Sequence, residues 1–407
     1  MRLGAALGVA AVAWGYPLDG GARTGIRRLA GYKLTLKLPP GAYLPSDRVV
    51  MRLASRPSFD ITASTPRDPY LEKGLAAIFA ARDSSYSIAL VDISDPAQPR
   101  YAAIREGDKR IPGSVGKLMV ATGVFGSLQR IFPNDTAARE RLLRETMVEG
   151  GAFVHRDSKT VPFFQDGDKA VTRRRLEAGD RFNLYEWLDH MLSESSNGAG
   201  SVVWRQAMLL FRYGPRYPPS PPDAEALFRD TAKKDLAHLA LESLETAARE
   251  SGLDTGKLRI GTFFTSQGER AVPGTASYAC PSELMRWLLK MEQGKLVDAW
   301  SSLEIKRLLY FTRPRYRYCS SPALDNAAVY FKSGSLFECR PEPGYECVQY
   351  KGNKTNLMHS VAVVESGKKV YLVALMSNVL KLNSAVEHQT IAGLIEKLVQ
   401  SRPGGPD

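Results

Sequence analysis

Three short motifs carry side chains that could perform acyl transfer. In chain order they are Ser114-Val115-Gly116-Lys117, Ser195-Ser196-Asn197 and Lys332-Ser333-Gly334. A serine hydroxyl becomes an effective nucleophile when a neighbouring base removes its proton. Residues three apart share one face of a helix, so Lys117 can reach Ser114 if the first motif opens a helix. The Pro112-Gly113 pair just before it is typical of such a start, and the motif therefore predicts a serine–lysine pair.

Lys117 can act as a base only if its pKa is well below that of an ordinary lysine. Burial and a second cation would both lower this pKa, and Lys332, which follows the apolar run from Ala327 to Phe331, could supply the cation. The N–H groups at the start of the helix could stabilise an oxyanion. A second S-x-x-K, Ser366-Gly367-Lys368-Lys369, lies in a predicted hairpin turn and serves as a control.

Each motif also has an alternative without chemistry. Ser114 could be an ordinary helix N-cap, since serine is common there. Ser195 and Asn197 could form a turn that ends a helix. Lys332 is harder to explain in this way, because a charge at the end of an apolar strand is unusual. The occurrence of all three motifs in order, each in a suitable predicted element, favours a catalytic interpretation.

The motifs and their flanks resemble class A β-lactamases and the related penicillin-binding proteins, whose set is S-x-x-K, S-D-N and K-T-G. The agreeing flanks are Phe182 to Leu188, which leads towards Ser195, and the predicted strand before Lys332. The resemblance covers about residues 66–401. It implies an α/β fold with a mostly antiparallel sheet built from both chain ends, flanking helices and an inserted helical lobe, about residues 114–310.

The resemblance also implies which residues would move protons and charge. Ser114 would be acylated, with Lys117 as general base. Ser195 would relay a proton towards the leaving nitrogen. The backbone N–H groups of Ser114 and Ser335 would form the oxyanion hole.

A second group would bind the substrate. Asn197 would hold its amide side chain, while Lys332 and Ser333, followed by Gly334, would bind its carboxylate. Ser333 replaces the usual threonine but keeps the hydroxyl. In the middle motif Ser196 replaces the usual aspartate, which braces the loop more than it reacts.

A third departure concerns deacylation. Class A enzymes carry a glutamate for this step, with an asparagine four residues later. Aligning Ala271 to Gly274 with the similar tail of that loop puts Thr265 at the glutamate position and Glu269 at the asparagine position. Either Glu269 activates the hydrolytic water from a shifted position, or this base is absent.

The leading hypothesis is therefore β-lactam hydrolysis through an acyl-enzyme on Ser114, without a metal or organic cofactor. One alternative is a D,D-peptidase, carboxypeptidase or transpeptidase, that acts on peptidoglycan stem peptides. Another is a penicillin-binding sensor that acylates without hydrolysis.

Composition limits the partners. The net charge of the 407-residue chain is +12, which favours anionic partners such as cell-wall material. Its basic clusters, Arg173 to Arg175 and Arg313 to Arg317, are short and isolated, so nucleic acid is not expected. We expect a monomer that acts on a small β-lactam or a peptidoglycan peptide. Beyond the first twenty residues no apolar run is long enough to predict a membrane span.

The N-terminal residues predict export. Residues 1–13 have a basic start, an apolar centre and an A-x-A-like end, as in a secretory signal, so a periplasmic or secreted location is expected. Residues 14–65 form an extension with a predicted peripheral strand from Tyr32 to Leu38, and residues 402–407 form a tail. Cys280, Cys319, Cys339 and Cys347 could form two disulfides in any of three pairings, or could remain buried thiols.

Periodicity and turn residues predict the remaining elements. Helices are expected at about 68–82, 114–131, 184–192, 224–251, 281–293, 298–310 and 385–400. Strands are expected at 85–93, 100–105, 327–333, 358–364 and 370–377, with a hairpin around 163–171.

Overall fold

The computed structural model describes residues 19–35, 38–155, 157–310 and 315–401, and the predicted signal and tail lie outside these ranges. The strands are β1 (Ser87–Asp92), β2 (Arg100–Ile104), β3 (Met147–Glu149), β4 (Thr160–Phe163), β5 (Thr172–Arg175), β6 (Arg181–Asn183), β7 (Leu258–Arg259), β8 (Tyr278–Ala279), β9 (Ala328–Glu338), β10 (Thr355–Ser366) and β11 (Lys369–Asn378). The α-helices are α1 (Gly21–Thr24), α2 (Arg28–Thr35), α3 (Pro69–Phe79), α4 (Lys117–Ile131), α5 (Thr136–Glu145), α6 (Leu184–Leu192), α7 (Asn197–Tyr213), α8 (Pro221–Asp230), α9 (Lys233–Glu250), α10 (Ser266–Ala271), α11 (Pro281–Glu292), α12 (Ala299–Tyr310) and α13 (Ala385–Gln400).

The main sheet has five strands in the order β2-β1-β11-β10-β9, and every pair is antiparallel. Strand β1, from the N-terminal part of the chain, pairs with β11 from the C-terminal part, with Ser87 opposite Met376. The predicted α/β fold with a sheet assembled from both chain ends is confirmed. The helices between β2 and β9 form the inserted lobe.

Side chains alternate between the two faces of this sheet. Ile88 and Leu90 of β1 pack with α3 and α13, whereas Ala89 and Val91 face the helical lobe. This alternation follows from the two-residue period of a strand. Both faces are covered by helices, which is why β1 is buried along its whole length.

Helix α4 runs through the middle of the lobe and is buried from Lys117 to Leu128. Two glycines allow α9 to approach it closely. A Cβ at Gly123 would meet the backbone oxygen of Ser243 at 2.4 Å, and one at Gly126 would meet the Cβ of Ala247 at 2.2 Å. This packing holds the residues at the start of α4 in a rigid setting.

The strand predicted from Tyr32 to Leu38 is wrong over its described residues. Arg28–Thr35 is helix α2, and residues 36–37 of the expected strand lie outside the described ranges. Leu29 and Tyr32, three residues apart, are buried on one face, and Arg28 pairs with Asp189 of α6. Tertiary packing therefore overrides the local alternation of apolar residues.

Most other predicted elements are confirmed, with two changes of detail. Ser114 lies in a 3-10 turn, Gly113–Gly116, that leads into α4. The single helix expected at 224–251 is divided into α8 and α9. The control motif at Ser366 occupies the turn between β10 and β11, as predicted.

Two of the four cysteines form a disulfide, Cys339–Cys347. Cys280 and Cys319 are buried thiols. One of the alternatives left open, two disulfides, is therefore wrong. Among the helices that the structure describes, none is sufficiently long and apolar to cross a membrane.

Candidate active site

Ser114 and Lys117 lie together at the entrance to α4. The Nζ atom of Lys117 is 3.1 Å from the Oγ atom of Ser114. It also lies 2.8 Å from the backbone oxygen of Ser195 and 2.8 Å from Oδ1 of Asn197. Lys117 is fully buried, while Ser114 is half-buried and faces a cleft. The distance between Nζ of Lys117 and Oγ of Ser114 is therefore short enough for direct proton transfer.

Lys332 reaches the same group of side chains from β9. Its Nζ donates to Oγ of Ser195 at 2.8 Å, so Ser195 contacts both lysines, one through its backbone oxygen and one through its hydroxyl. Lys332 and Ser333 are 1% and 2% exposed. The structure thus brings two amines and two hydroxyls from three distant segments into one cluster.

Both amines have lowered pKa values. Burial lowers the pKa of Lys117 to about 7, with a further lowering from Lys159 and an opposing effect from Asp157. Burial also lowers the pKa of Lys332 well below its ordinary value, reinforced by the positive charges of Lys117, Lys159 and Arg317. For Lys117, burial is therefore the main cause, ahead of any neighbouring cation.

Asp157 supplies a carboxylate to the middle motif, which has serine where the resembling family has aspartate. Its Oδ2 accepts from Oγ of Ser196 at 2.7 Å and from the backbone N–H of Gly198 at 2.8 Å. The Ser196 hydroxyl in turn caps α7 by accepting from the N–H of Ala199. Asp157 lies 39 residues from Ser196 in a loop, so sequence analysis missed it.

The turn that holds Ser114 packs directly on β9. A Cβ at Gly334 would meet the backbone oxygen of Pro112 at 2.4 Å and the backbone nitrogen of Ser114 at 3.2 Å. A Cβ at Gly113, whose φ is +53°, would meet the backbone nitrogen of Ser335 at 3.1 Å. The backbones that carry the proposed oxyanion donors are thus in contact, and glycine at both positions permits this.

Arg317 is a second residue that sequence analysis did not single out. Its guanidinium donates to the backbone oxygen of Gly334 at 2.8 Å and to Oγ of Ser335 at 3.0 Å. It is 8% exposed and lies 5.5 Å from the ring centre of Tyr350. Among the described residues it has no carboxylate partner, and burial lowers its pKa. Arg317 belongs to the basic run at 313–317, but in the sequence that run indicated only positive charge and not a place in the site.

The cluster opens into a cleft of about 210 Å³. Its lining residues are Ser114, Ser158, Lys159, Ser195, Asn197, Tyr316, Arg317, Ser333, Gly334, Ser335, Leu336, Phe337, Gln349 and Tyr350. None of these is an aspartate or glutamate. A larger cavity of about 990 Å³ lies elsewhere on the helical lobe and is lined by none of the motif residues.

The two aligned positions, Thr265 and Glu269, do not reach the cleft, although the ring centre of the neighbouring Phe264 lies 4.8 Å from Nζ of Lys117. Thr265 is 5% exposed, and its hydroxyl lies 3.0 Å from the backbone oxygen of Phe153 and 3.1 Å from Oγ of Ser201. Glu269 is exposed on α10. Neither residue lines the cleft, so the structure does not bring Glu269 to Ser114.

Backbone strain is concentrated at the cleft. Six described residues other than glycine have positive φ, and three of them, Ser195, Arg317 and Tyr350, line the cleft. Such conformations are costly for residues with a Cβ and persist where the surroundings enforce them, often at functional sites.

Comparison with solved structures identifies the fold. The chain matches a mutant of PBP-A, solved as an acyl-enzyme complex with penicillin G, with a TM-score of 0.51 and 10% identity over 83% of this chain and 100% of that one. It also matches β-lactamases from Sphaerobacter thermophilus (TM-score 0.52, 13% identity, 83% and 98% of the chains) and Desulfarculus baarsii (TM-score 0.51, 17% identity, 81% and 97%). No protein-family model and no curated protein sequence matches the chain. The fold is that of β-lactamases and penicillin-binding proteins.

Proposed function

We propose that this protein is a serine acyltransferase that forms an acyl-enzyme on Ser114, and that it acts as a D,D-peptidase on peptidoglycan stem peptides with β-lactams as slowly released acylating agents. The observation that carries the proposal is the buried cluster in which Lys117 contacts Ser114 and both lysines contact Ser195. The fold of PBP-A, which was solved with penicillin G as its acyl group, supports it.

In the first step the Oγ of Ser114 attacks the amide carbonyl carbon while neutral Lys117 accepts the hydroxyl proton. The N–H groups of Ser114 and Ser335 stabilise the oxyanion. The C–N bond then breaks as Ser195 passes its hydroxyl proton to the leaving nitrogen and takes a proton from Lys332, which donates to Oγ of Ser195. Water or an amine then attacks the acyl carbon and gives a proton through Ser195 back to Lys332, while Lys117 returns the proton it accepted to Oγ of Ser114 as that oxygen leaves.

The substrate carboxylate binds on the β9 side of the cleft. Ser333 and Arg317 line the cleft there, and Lys332 precedes Ser333 on β9 and contacts Ser195. A buried guanidinium without a carboxylate partner among the described residues suits an incoming carboxylate. Asn197, on the opposing lobe, contacts the amide of the acyl half. These assignments need no metal or organic cofactor.

Peptidase action is proposed ahead of β-lactam hydrolysis because of the cleft's composition. Rapid deacylation in class A enzymes uses a glutamate, and here no acidic residue lines the described cleft and Glu269 is exposed. The Cys339–Cys347 disulfide supports an oxidising location such as the periplasm or the cell exterior.

Incubation with a chromogenic cephalosporin, followed by absorbance and intact mass, tests the proposal. We expect one equivalent of colour and a persistent adduct, and slow release of D-alanine from a peptide ending in D-Ala-D-Ala. Sustained cephalosporin turnover would instead establish a β-lactamase. A persistent adduct without peptide cleavage would indicate a sensor.

The matched variants are Ser114→Ala and Ser366→Ala, since both serines belong to S-x-x-K sequences. Ser114→Ala should abolish the adduct and Ser366→Ala should retain it. An adduct that survives Ser114→Ala would refute the assignment of the nucleophile.

A further inference from the structure

The cleft is cationic on both of its walls. Lys159 lies on the helical-lobe side and Arg317 on the β9 side, and no acidic residue lines the described space between them. An acid beside this site is Asp157, whose Oδ2 is already engaged by Ser196 and Gly198. These neutral donors do not cancel the charge of Asp157, but neither of the two cationic side chains that line the cleft forms an ion pair with a described carboxylate.

Lys159 is held in place by its neighbour. Its backbone N–H donates to Oδ1 of Asp157 at 2.9 Å, and Asp157 is fixed to the start of α7. The side chain is half-buried and forms no ion pair with any described carboxylate. Lys159 lines the same cleft as Ser114 and Ser195, and its positive charge contributes to the lowered pKa of both Lys117 and Lys332.

The single carboxylate of the proposed substrate already has partners on the other wall. Lys332, Ser333 and Arg317 all belong to the β9 side, which takes the leaving half of the substrate. Lys159 lines the cleft together with Ser158 and Asn197, on the side where the proposed binding mode puts the acyl half. A substrate with only one carboxylate, bound on the β9 side, therefore leaves Lys159 without a counter-charge.

We propose that Lys159 binds a second carboxylate, carried on the acyl half of the substrate, so that the enzyme selects dianionic peptides and β-lactams. This inference rests on the proposed function, because it assumes acylation of Ser114. A positively charged side chain next to a partly desolvated carboxylate gives a charge-assisted hydrogen bond that a neutral group cannot match.

Penicillin G and carbenicillin provide the test, since they differ by one carboxylate, on the carbon next to the carbonyl of the 6-acylamino side chain. The second-order rate constant for acylation of the full chain is measured for each by competition with a fluorescent penicillin. We expect carbenicillin to react about tenfold faster, in line with one hydrogen bond to a charged group. Lys159→Gln should bring the ratio of the two rate constants to about one, and Lys159→Arg should retain the preference.

Lys73→Gln is the matched control, because Lys73 is an exposed lysine on α3 and its loss changes the net charge equally. It should leave the preference intact. An equal fall for both penicillins in Lys159→Gln, with their ratio unchanged and a shifted pH profile, would overturn the binding role and indicate that Lys159 acts only on the pKa of Lys117.

The two proposals fail in different ways. If both penicillins acylate Ser114 at equal rates in the wild type, the second-carboxylate site is refuted and the acyltransferase stands. If neither penicillin acylates Ser114, the proposed function is refuted and this inference falls with it.

Discussion

In the proposed reaction, the protonation state of Lys117 sets the rate of acylation. Burial lowers its pKa to about 7, and the neighbouring Lys159 adds to this while Asp157 opposes it. A lysine that is neutral near physiological pH can accept a proton, whereas an ordinary lysine cannot. Because the lowered pKa comes mainly from burial, it depends on the packing of α4 against the rest of the lobe.

The pH dependence of acylation follows from this value. The neutral fraction of Lys117 is small at pH 5 and passes one half near pH 7, so the acylation rate constant should rise about tenfold per pH unit below 7 and level off above it. Stopped-flow acylation with penicillin G from pH 5 to 9 measures this. Near-UV circular dichroism at each pH checks that the fold is intact.

Lys117→Arg should lose the activity across this range, because arginine remains protonated in proteins. A flat profile between pH 5.5 and 8.5 in the wild type would contradict the role of Lys117 as base.

The three motifs predicted one shared site, including Lys332 from a distant strand, but nothing in the sequence singled out Asp157 or Arg317. Ser114 and Lys117 are three residues apart, so helical geometry alone brings them together. Asp157 and Arg317 reach Ser196 and Gly334 across 39 and 17 residues, through loops with no period or motif. Such contacts follow from the tertiary arrangement, which local patterns do not encode.

The difference between local patterns and tertiary contacts also explains why most predicted elements are confirmed and one is wrong. β10 and β11 are long, mostly apolar runs and α13 has apolar residues at helical spacing, and all three appear near the expected positions. At Tyr32 the alternation was equally clear, but the buried ion pair between Arg28 and Asp189 and the packing of Leu29 select a helix. A short pattern is easily overridden by such contacts.

At the scale of elements, the contact between β9 and the turn before α4 sets the distance between the proposed nucleophile, Ser114, and the proposed substrate site on β9. Gly334→Ala would place a Cβ 2.4 Å from the backbone oxygen of Pro112, so the strand or the turn must move. A displacement of this kind misaligns reacting groups, and we expect acylation to slow roughly 10- to 100-fold. Gly107→Ala, where a Cβ meets nothing within 4 Å, is the control.

The measurement is the acylation rate constant with penicillin G, together with the thermal midpoint of each variant. A large loss of rate with a small loss of stability is expected for Gly334→Ala only. Equal rates in the two variants would show that the turn tolerates the shift.

At the scale of the whole molecule, the N-terminal extension is part of the folded unit. Arg28 of α2 donates to both carboxylate oxygens of Asp189 in α6, at 2.5 and 2.6 Å, and both side chains are buried. Helix α6 ends just before the middle motif, and the hydroxyl of Ser193 also donates to Asp189. The extension therefore supports the segment that carries Ser195.

Arg28→Met should lower the free energy of unfolding by about 3–5 kcal/mol, because it leaves a buried carboxylate without its cation. Arg28→Met combined with Asp189→Asn should recover more than half of this loss. Urea denaturation monitored by tryptophan fluorescence measures both variants.

Arg229→Met is the matched control, since Arg229 forms an exposed ion pair with Asp230 and should have no measurable effect. If Arg28→Met unfolds at the same urea concentration as the wild type, the extension is not coupled to the rest of the fold.

The pairing of β1 with β11 has a consequence for how the protein becomes active during its synthesis. Ser87 and Met376 are neighbours in the sheet although 289 residues separate them along the chain. The ribosome releases Ser114 and Lys117 long before β9 is made, and within the sheet β9 pairs only with β10, which follows it. Closing so long a loop is slow. The nascent chain therefore carries the proposed nucleophile without the second amine, and the proposed reactivity requires the C-terminal strands to dock.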